Sequence, residues 1–343
     1  MSSNKALIFK KVPQVIPIPG KDLTIEPVAG TAHDEAPVNG ILVKCLYSSF
    51  DPYLRGRMRP VELKSYYSAF QLNGTIDSLG IAKVLRSNNT SYQEGQLVIG
   101  ELPIQEYVAL DESSVTRVRS LENPLGLEDI RVFLGALGMP GLTAYSSLYA
   151  IGKPKRDETI FISAASGSVG QIVAQLAKRE GLKVIGSVGS DEKLSYIRNE
   201  LGVDGFNYKL EKPTEALARL APQGLDIYYD NVGGEHLEAA LGAMNDYGRI
   251  VACGMISELG GAPYPIKGLH NVIRKRLTMR GFIVSDEEFG RAYFLEHQTN
   301  MQKWIKEGSI RSLIHETVGI ENAPDGLVGI FEGKNRGKAL LKF

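Results

Sequence analysis

Apolar residues recur along this chain in two registers. In the first third they form short runs, Ala6–Phe9, Gly40-Ile-Leu-Val-Lys-Cys-Leu46 and Ile81-Ala-Lys-Val-Leu85, divided by Gly, Pro and Asn. That pattern predicts strands joined by turns. Gly56–Phe70 has no strong period and carries Arg, Met and paired Tyr residues, so a loop with a short helical piece is expected there. From about residue 126 strand-like runs alternate with helical patterns. Candidate parallel strands are Thr159–Ser163, Lys183–Val188, Asp226–Tyr229, Arg249–Cys253 and Met279–Val284, with helices between them such as 191–200 and 234–245. Such alternation predicts an α/β chain built on a doubly wound parallel sheet. β character returns at Leu313–Val318 and Ala339–Phe343. The expected division is a β-rich domain over 1–125, a sheet-and-helix domain over 126–310, and a return of 311–343 to the first domain.

One junction in this pattern carries chemistry. Glu158-Thr-Ile-Phe-Ile162 reads as a buried strand, and Val169, Ile172, Val173, Leu176 and Ala177 fall on one helix face. Between them lies Ser163-Ala-Ala-Ser-Gly-Ser-Val-Gly170. Small residues let a backbone approach phosphates closely, and a helix start offers unpaired N–H groups and a positive dipole end. Ala164-x-x-Gly167-x-x-Gly170 is a variant of the dinucleotide fingerprint with Ala in first place. By itself this is a weak signal, since many strand–helix turns are rich in small residues for packing. Leu182-Lys-Val-Ile-Gly-Ser-Val188 supplies the second strand of a βαβ unit at the right distance.

The end of that second strand bears on the cofactor. An NAD site places a carboxylate there, about 20 residues past the first glycine, for the ribose 2′-hydroxyl. Ser187-Val188 stands at that point, followed by Gly189-Ser190 and Asp191-Glu-Lys193. Room plus a cation suits a 2′-phosphate and favours NADP over NAD. The plainer alternative has Ser190 capping a helix, Asp191 and Glu192 favouring its dipole, and Lys193 solvated. Both can hold together. Three further strand ends, Asp230-Asn231-Val-Gly-Gly234, Cys253-Gly-Met-Ile-Ser257 and Gly281-Phe-Ile-Val-Ser285, are each readable as an ordinary turn. Taken together at successive strand ends, they read as the floor of one cofactor groove.

Composition narrows the partners. A length of 343 residues with 43% hydrophobic and 23% charged residues supports two domains with ample core. Basic and acidic residues balance at 39 each, which points to neither a nucleic acid nor an anionic membrane. No apolar run reaches the ~18 residues of a membrane span. The stretch Met1–Lys10 has neither a signal-peptide core nor transit-peptide composition, so a cytoplasmic setting is expected. Cys45 and Cys253 are the only cysteines, which excludes a disulfide framework and a four-cysteine zinc site. His33, His236, His270, His297 and His315 are scattered, with no Gly-His-Glu context to supply a catalytic zinc ligand, so no metal is expected.

The chain resembles the medium-chain dehydrogenase/reductases, and within them the zinc-independent branch of prostaglandin reductase, plant alkenal double-bond reductases and bacterial curcumin reductase. The matching segments span nearly its whole length. They are Ser49-Phe-Asp-Pro-Tyr-Leu-Arg-Gly-Arg-Met58, Leu137-Gly-Met-Pro-Gly-Leu-Thr-Ala-Tyr145, the Ala-Ala-Ser-Gly run, Gly189-Ser-Asp-Glu-Lys193 and Phe206-Asn-Tyr208. Tyr229-Asp-Asn-Val-Gly-Gly234, Cys253-Gly-Met-Ile-Ser257, Gly281-Phe-Ile-Val-Ser-Asp286 and Glu321-Asn-Ala-Pro-Asp325 follow. The resemblance implies a Rossmann-type nucleotide domain, a β-rich GroES-like catalytic domain and a homodimer joined through the nucleotide domain. It implies NADPH/NADP+ with Gly167, Ser168, Val169 and Gly170 on the pyrophosphate, and Lys193 and Tyr208 at the adenosine end. Asn231, Cys253, Gly254, Met255, Ile256, Ser257, Phe282, Ile283 and Val284 would line the path to the nicotinamide, and Asn335, in Gly333-Lys-Asn-Arg-Gly337, would close over it. Such reductases pass hydride to the β-carbon of an enal or enone.

One departure stands out. The family often carries a tyrosine just after the Met-Ile-Ser segment as donor to the substrate carbonyl, and Leu259 stands in that place here. Tyr53 and Tyr264 are the candidate replacements, with a ribose hydroxyl and water as the remaining option. Paired Tyr66 and Tyr67 would shape a pocket mouth or simply pack. A quinone reductase on the same fold, or an NADPH-binding protein without turnover, are the rival functions.

Overall fold

The computed structural model describes residues 4–260 and 263–343. The first three residues of the N-terminal stretch lie outside the described residues. The chain divides into two compact units.

The unit that carries the phosphate-turn motif comprises Leu127–Leu313 and Arg336–Lys338. Its sheet has six strands: β1 (Thr159–Ile162), β2 (Lys183–Val188), β3 (Asp204–Asn207), β4 (Leu225–Asp230), β5 (Met244–Ala252) and β6 (Thr278–Gly281). All neighbours pair in parallel, and the spatial order is β3-β2-β1-β4-β5-β6. This is the order of a dinucleotide-binding sheet, whose switch point lies between β1 and β4. Its helices include α1 (Gly170–Arg179), α2 (Asp191–Asn199), α3 (Pro213–Leu220), α4 (Gly234–Ala243) and α5 (Gly290–Lys306), besides Met139–Ser147 and His270–Arg274.

Local chemistry explains these elements. In α1, Ile172, Val173, Leu176 and Ala177 are all fully buried, Lys178 and Arg179 sit in the last turn where the dipole favours cations, and Gly181 follows with φ +83°. Ser190 caps α2 by accepting the Lys193 amide at 3.3 Å, with Asp191 and Glu192 in the first turn. One core face stacks Phe161 on Tyr228 at 5.1 Å and on Phe206 at 5.9 Å. Burying each such side chain is worth roughly 1.5–3 kcal/mol.

Two boundaries differ from expectation. The last strand stops at Gly281 rather than running to Val284. Its only partner, β5, ends at Ala252, which pairs with Gly281, so Phe282 onward has no ladder to join. The strand expected at Arg249–Cys253 begins at Met244, with a register shift against β4 and Tyr247 at φ +62°.

Residues 311–313 belong to this unit because two glutamines one turn apart on α1 grip their backbone. Gln171 accepts the Leu313 amide at 2.9 Å and donates to the Leu313 carbonyl at 3.1 Å. Gln175 treats Arg311 the same way, at 2.8 Å in both directions.

The other unit comprises residues up to Gly126, Ile314–Asn335 and Ala339–Phe343. Its main sheet runs Ile314–Val318, Lys338–Lys342, Ile41–Ser49, Asp77–Ser87, Leu97–Pro103 and Val118–Ser120, with Tyr107–Leu110 also on Ile41–Ser49. A two-stranded ribbon pairs Asn4–Phe9 with Leu23–Val28. The short helix is Tyr53–Arg57, which starts ahead of the Gly56–Phe70 segment where one was expected and overlaps it only at Gly56 and Arg57; the rest of that segment is turns and irregular chain. Those turns are held by arginines: Arg59 donates to the Gly56 carbonyl at 2.8 Å and Arg57 to the Ser68 carbonyl at 3.0 Å. Among the described residues no helix is long and apolar enough to cross a membrane.

Candidate cofactor site

The turn after β1 is shaped for a close ligand. Ala164 adopts φ +50°, left-handed for a residue with a side chain. A Cβ on Gly170 would lie 2.4 Å from the Ala164 carbonyl oxygen, so only glycine lets α1 start this close to the strand. Among the described residues, the amides of Ser168, Val169 and Gly170 donate to no protein acceptor. Three orphan donors at a helix start form a cradle suited to an anion. The Gly337 amide donates to the Ser166 carbonyl at 2.9 Å, so the 336–338 segment straps this turn.

Beyond it lie the residues expected at the adenosine end. The Tyr208 phenol rests on Gly189, where a Cβ would stand 3.0 Å from its hydroxyl. His236, on the first turn of α4, meets the Tyr208 ring edge-on at 5.1 Å. Lys193 is half-buried, and its ammonium is pulled below the usual lysine range by burial and then by the Lys209 charge nearby. Both acids of the Asp-Glu-Lys run are engaged elsewhere. Asp191 accepts from the Asn207 amide at 2.9 Å, and Glu192 pairs with Arg336 at 3.2 Å. Of the plainer alternative, the Ser190 cap on α2 is present and Lys193 is half-buried rather than fully solvated.

At the switch point, hydrogen bonds join three strand ends. The Asn231 amide donates to Ser163 Oγ at 2.9 Å, and Asn231 Nδ2 donates to the Ser163 carbonyl at 2.7 Å. Asp230, fully buried, gathers the Gly233 amide at 2.7 Å, the Val232 amide at 3.0 Å and the Tyr228 hydroxyl at 2.7 Å. Burial holds its carboxyl above the usual aspartate range, against the pull of these donors. The amides of Cys253 and Gly254 donate to the Asp230 carbonyl at 2.9 and 3.0 Å, Ile256 to Asn231 at 3.3 Å, and Ser257 to Val232 at 3.1 Å. Met255 leaves no room at Gly233, where a Cβ would stand 2.9 Å from its Cγ. Asn231 and Cys253–Ser257 are thus one assembly. Phe282, Ile283 and Val284 follow the end of β6, with Phe282 packed on Phe289 at 4.9 Å.

The remaining candidates divide between the units. Tyr264 belongs to the nucleotide unit. Its side chain is exposed, and its hydroxyl is raised above the usual tyrosine range, first by partial loss of water and then by the Glu238 and Glu235 carboxylates. Tyr53 and Asn335 belong to the other unit. The Tyr53 ring stacks on Tyr67 at 5.0 Å, and burial followed by the Asp51 charge pushes its hydroxyl far up. Arg57 beneath pairs with Asp77 and lies 4.0 Å from the Phe70 ring. Sequence reading passed over Ser163 as the clasp, buried Asp230, and the cations Lys209 and Arg336. Lys209 follows Tyr208 directly, and Arg336 sits inside the Gly333–Gly337 string, so both were within reach.

Two family descriptions match the chain: "zinc-binding dehydrogenase" over residues 168–296 and "N-terminal domain of oxidoreductase" over residues 6–118. An NADP-dependent oxidoreductase of Cochliobolus heterostrophus is 49% identical over 346 residues, 100% of this chain and 98% of that protein. The chain belongs to the zinc-independent medium-chain dehydrogenase/reductases. Within this family, a 2-alkenal reductase (NADP(+)-dependent) of Nicotiana tabacum is 39% identical, with 99% of this chain and 97% of that protein covered. The crystal structure of CurA in complex with NADPH from Vibrio vulnificus superposes with a TM-score of 0.89 at 30% identity, covering 98% of both chains.

Zinc, named in one family description, does not fit this medium-chain reductase. Among the described residues, no group of three or more His, Cys, Asp or Glu side chains is placed to hold a metal ion. Cys45 is buried, and burial pushes its thiol up to about 12. The Cys253 thiol is pushed up to about 12 likewise, first by burial.

Proposed function

We propose that this medium-chain reductase uses NADPH to saturate the carbon–carbon double bond of α,β-unsaturated aldehydes or ketones. The cofactor half of this reading rests on the cradle at Gly167–Gly170 and on the absence of a carboxylate at Ser187-Val188, where an NAD site carries one, with Lys193 nearby. The substrate half is supported by the likeness to the tobacco 2-alkenal reductase.

The residues divide the work as follows. The orphan amides of Ser168, Val169 and Gly170 bind the pyrophosphate, and Lys193 and Tyr208 take the adenosine end. The Ser163–Asn231 clasp and the Asp230 network hold the strand-end loops rigid, so that Asn231 and Cys253–Ser257 present a fixed surface toward the nicotinamide. NADPH, when bound, supplies the hydride for the β-carbon. The substrate carbonyl gains enolate charge, so a donor aimed at its oxygen lowers the barrier. Tyr53 is the donor favoured here, because its ring is held against Tyr67, whereas the Tyr264 side chain is exposed. The α-carbon takes its proton from water.

The observation that carries the reading is the cradle of unpaired amides followed by cations rather than an acid. NADPH oxidation measured over a panel of enals, enones and quinones tests it. Turnover of enals and enones is expected; turnover of quinones alone, or none at all, would replace the reading with one of the two rivals.

A further inference from the structure

The 2′-phosphate subsite read above rests on Lys193, with Lys209 close enough to lower its basicity. A third cation is anchored beside it. Gly337 hydrogen-bonds the phosphate turn through the Ser166 carbonyl at 2.9 Å, and the Gly337 and Gly167 backbones form a bridge. Arg336, the preceding residue, is therefore fixed at its backbone against the cradle. Its guanidinium reaches α2, where it pairs with Glu192 at 3.2 Å and lies 5.8 Å from the centre of the Tyr196 ring. Tyr196 is itself held by a hydrogen bond to Gln171 at 2.9 Å, so the ring is a firm platform. Glu192 directly precedes Lys193 on the same helix turn. The guanidinium thus meets the first turns of α2 at Glu192 and Tyr196, on the helix whose first turn also carries the lysine that the NADPH reading assigns to the phosphate.

The pair that holds it there is weak. The Arg336 side chain is 38% exposed and that of Glu192 75% exposed. Exposed ion pairs contribute little, because water screens both charges. A ribose 2′-phosphate carries nearly two negative charges and three acceptor oxygens, and an arginine fork binds such a group better than a single exposed carboxylate. Asp191 does not compete for the cations, since it is turned to Asn207.

We propose that Arg336 is a further specificity-determining residue. Parked on Glu192 in the free protein, it transfers to the 2′-phosphate when NADPH binds, and Glu192 is the counter-charge that moderates this transfer. The proposal rests on the NADPH reading of the site. Arginine supplies the affinity, and the glutamate limits it by competing for the same guanidinium.

Calorimetric titration with adenosine 2′,5′-bisphosphate and adenosine 5′-monophosphate separates the two ideas without turnover. For the unaltered protein the bisphosphate should bind more tightly than the monophosphate; equal binding would overturn the NADPH reading, and this proposal with it. Given that preference, Arg336→Ala should weaken the bisphosphate about tenfold and the monophosphate less than about twofold. Glu192→Gln should tighten the bisphosphate about threefold, as removal of a weak competing pair. The opposite signs guard against a folding artefact, since a damaged site weakens everything. If Arg336→Ala left the bisphosphate unchanged, or weakened both ligands alike, or if Glu192→Gln weakened the bisphosphate, the proposal would be overturned while the NADPH reading stood.

Discussion

Ser163 and Asn231 clasp each other across the ends of β1 and β4: the serine hydroxyl accepts the asparagine amide at 2.9 Å, and the serine carbonyl accepts Asn231 Nδ2 at 2.7 Å. Ser163→Ala removes the first contact and leaves the buried Asp230 without one of its neighbours. A cost of about 1–3 kcal/mol in unfolding free energy is expected, read by urea titration. If the loop held by this clasp orders the nicotinamide, kcat should fall further than the cofactor affinity.

Lys193→Ala tests the phosphate assignment directly. Loss of one charge-assisted hydrogen bond should cost about 1.5–3 kcal/mol in NADPH affinity, toward the lower end because the side chain is partly solvated. NADH should change little. Dissociation constants for both cofactors check it, and an equal loss for both would remove Lys193 from the 2′-phosphate.

The donor question separates the two tyrosines. Tyr264→Phe should leave the rate within about twofold, since its side chain is exposed, whereas removal of a main oxyanion donor costs about 10²–10³. Tyr53→Phe should fall between these, with ribose hydroxyl and water sharing the role. Leu259→Tyr should be tolerated. The Tyr53 hydroxyl is held far above its ordinary range, so the pH–rate profile should show no limb near neutrality. A neutral limb abolished by changing one histidine would exclude this mechanism.

Two buried histidines set the acid stability. His236 and His297 are both lowered to about 4, chiefly by burial, and His297 Nε2 donates to the Ala136 carbonyl at 2.9 Å. The unfolded chain takes up these protons near the ordinary histidine value while the folded chain does not. Their contribution is therefore complete above about pH 6.5 and is lost as pH falls toward 4. Each is worth about 3 kcal/mol over the full window. Urea midpoints should drop between pH 7 and pH 5. His236→Phe and His297→Gln should each flatten that slope; an unchanged slope in both would disprove the assignment.

The edge strand β6 prompts the last expectation. Thr278–Gly281 is exposed along its whole length at the margin of the six-stranded sheet. Natural sheets cover such edges. A homodimer through this unit is expected, with sedimentation giving twice the 37.5 kDa chain mass at micromolar protein. Met279→Lys should shift it toward monomer.

Strong periodicity made most of the nucleotide unit readable. Thr159–Ile162 and Lys183–Val188 are dense in β-branched residues, and the α1 face is continuous, so pattern alone located them. Asp204–Asn207 escaped because Phe206 is its only strong strand former; pairing to β2 and the Phe161 stack make it a strand. The cradle glycines were legible because close approach leaves a composition signature. Asp230 was legible only as part of a turn, since its burial and its three donors are products of tertiary structure. Arg336 lay more than a hundred residues from the helix it meets, a distance no local pattern spans.

The two cysteine thiols bear on how long such a catalyst lasts. Conjugated aldehydes and ketones are electrophiles that alkylate thiolates, the ionised form being the one that attacks. Cys45 and Cys253 both ionise only near 12, so at neutral pH essentially none of either is in the reactive state. If enals and enones are its substrates, as proposed, the folded chain offers them almost no thiolate to modify. Incubation with excess acrolein should leave both residues unlabelled by mass spectrometry until the chain is unfolded, after which both should react.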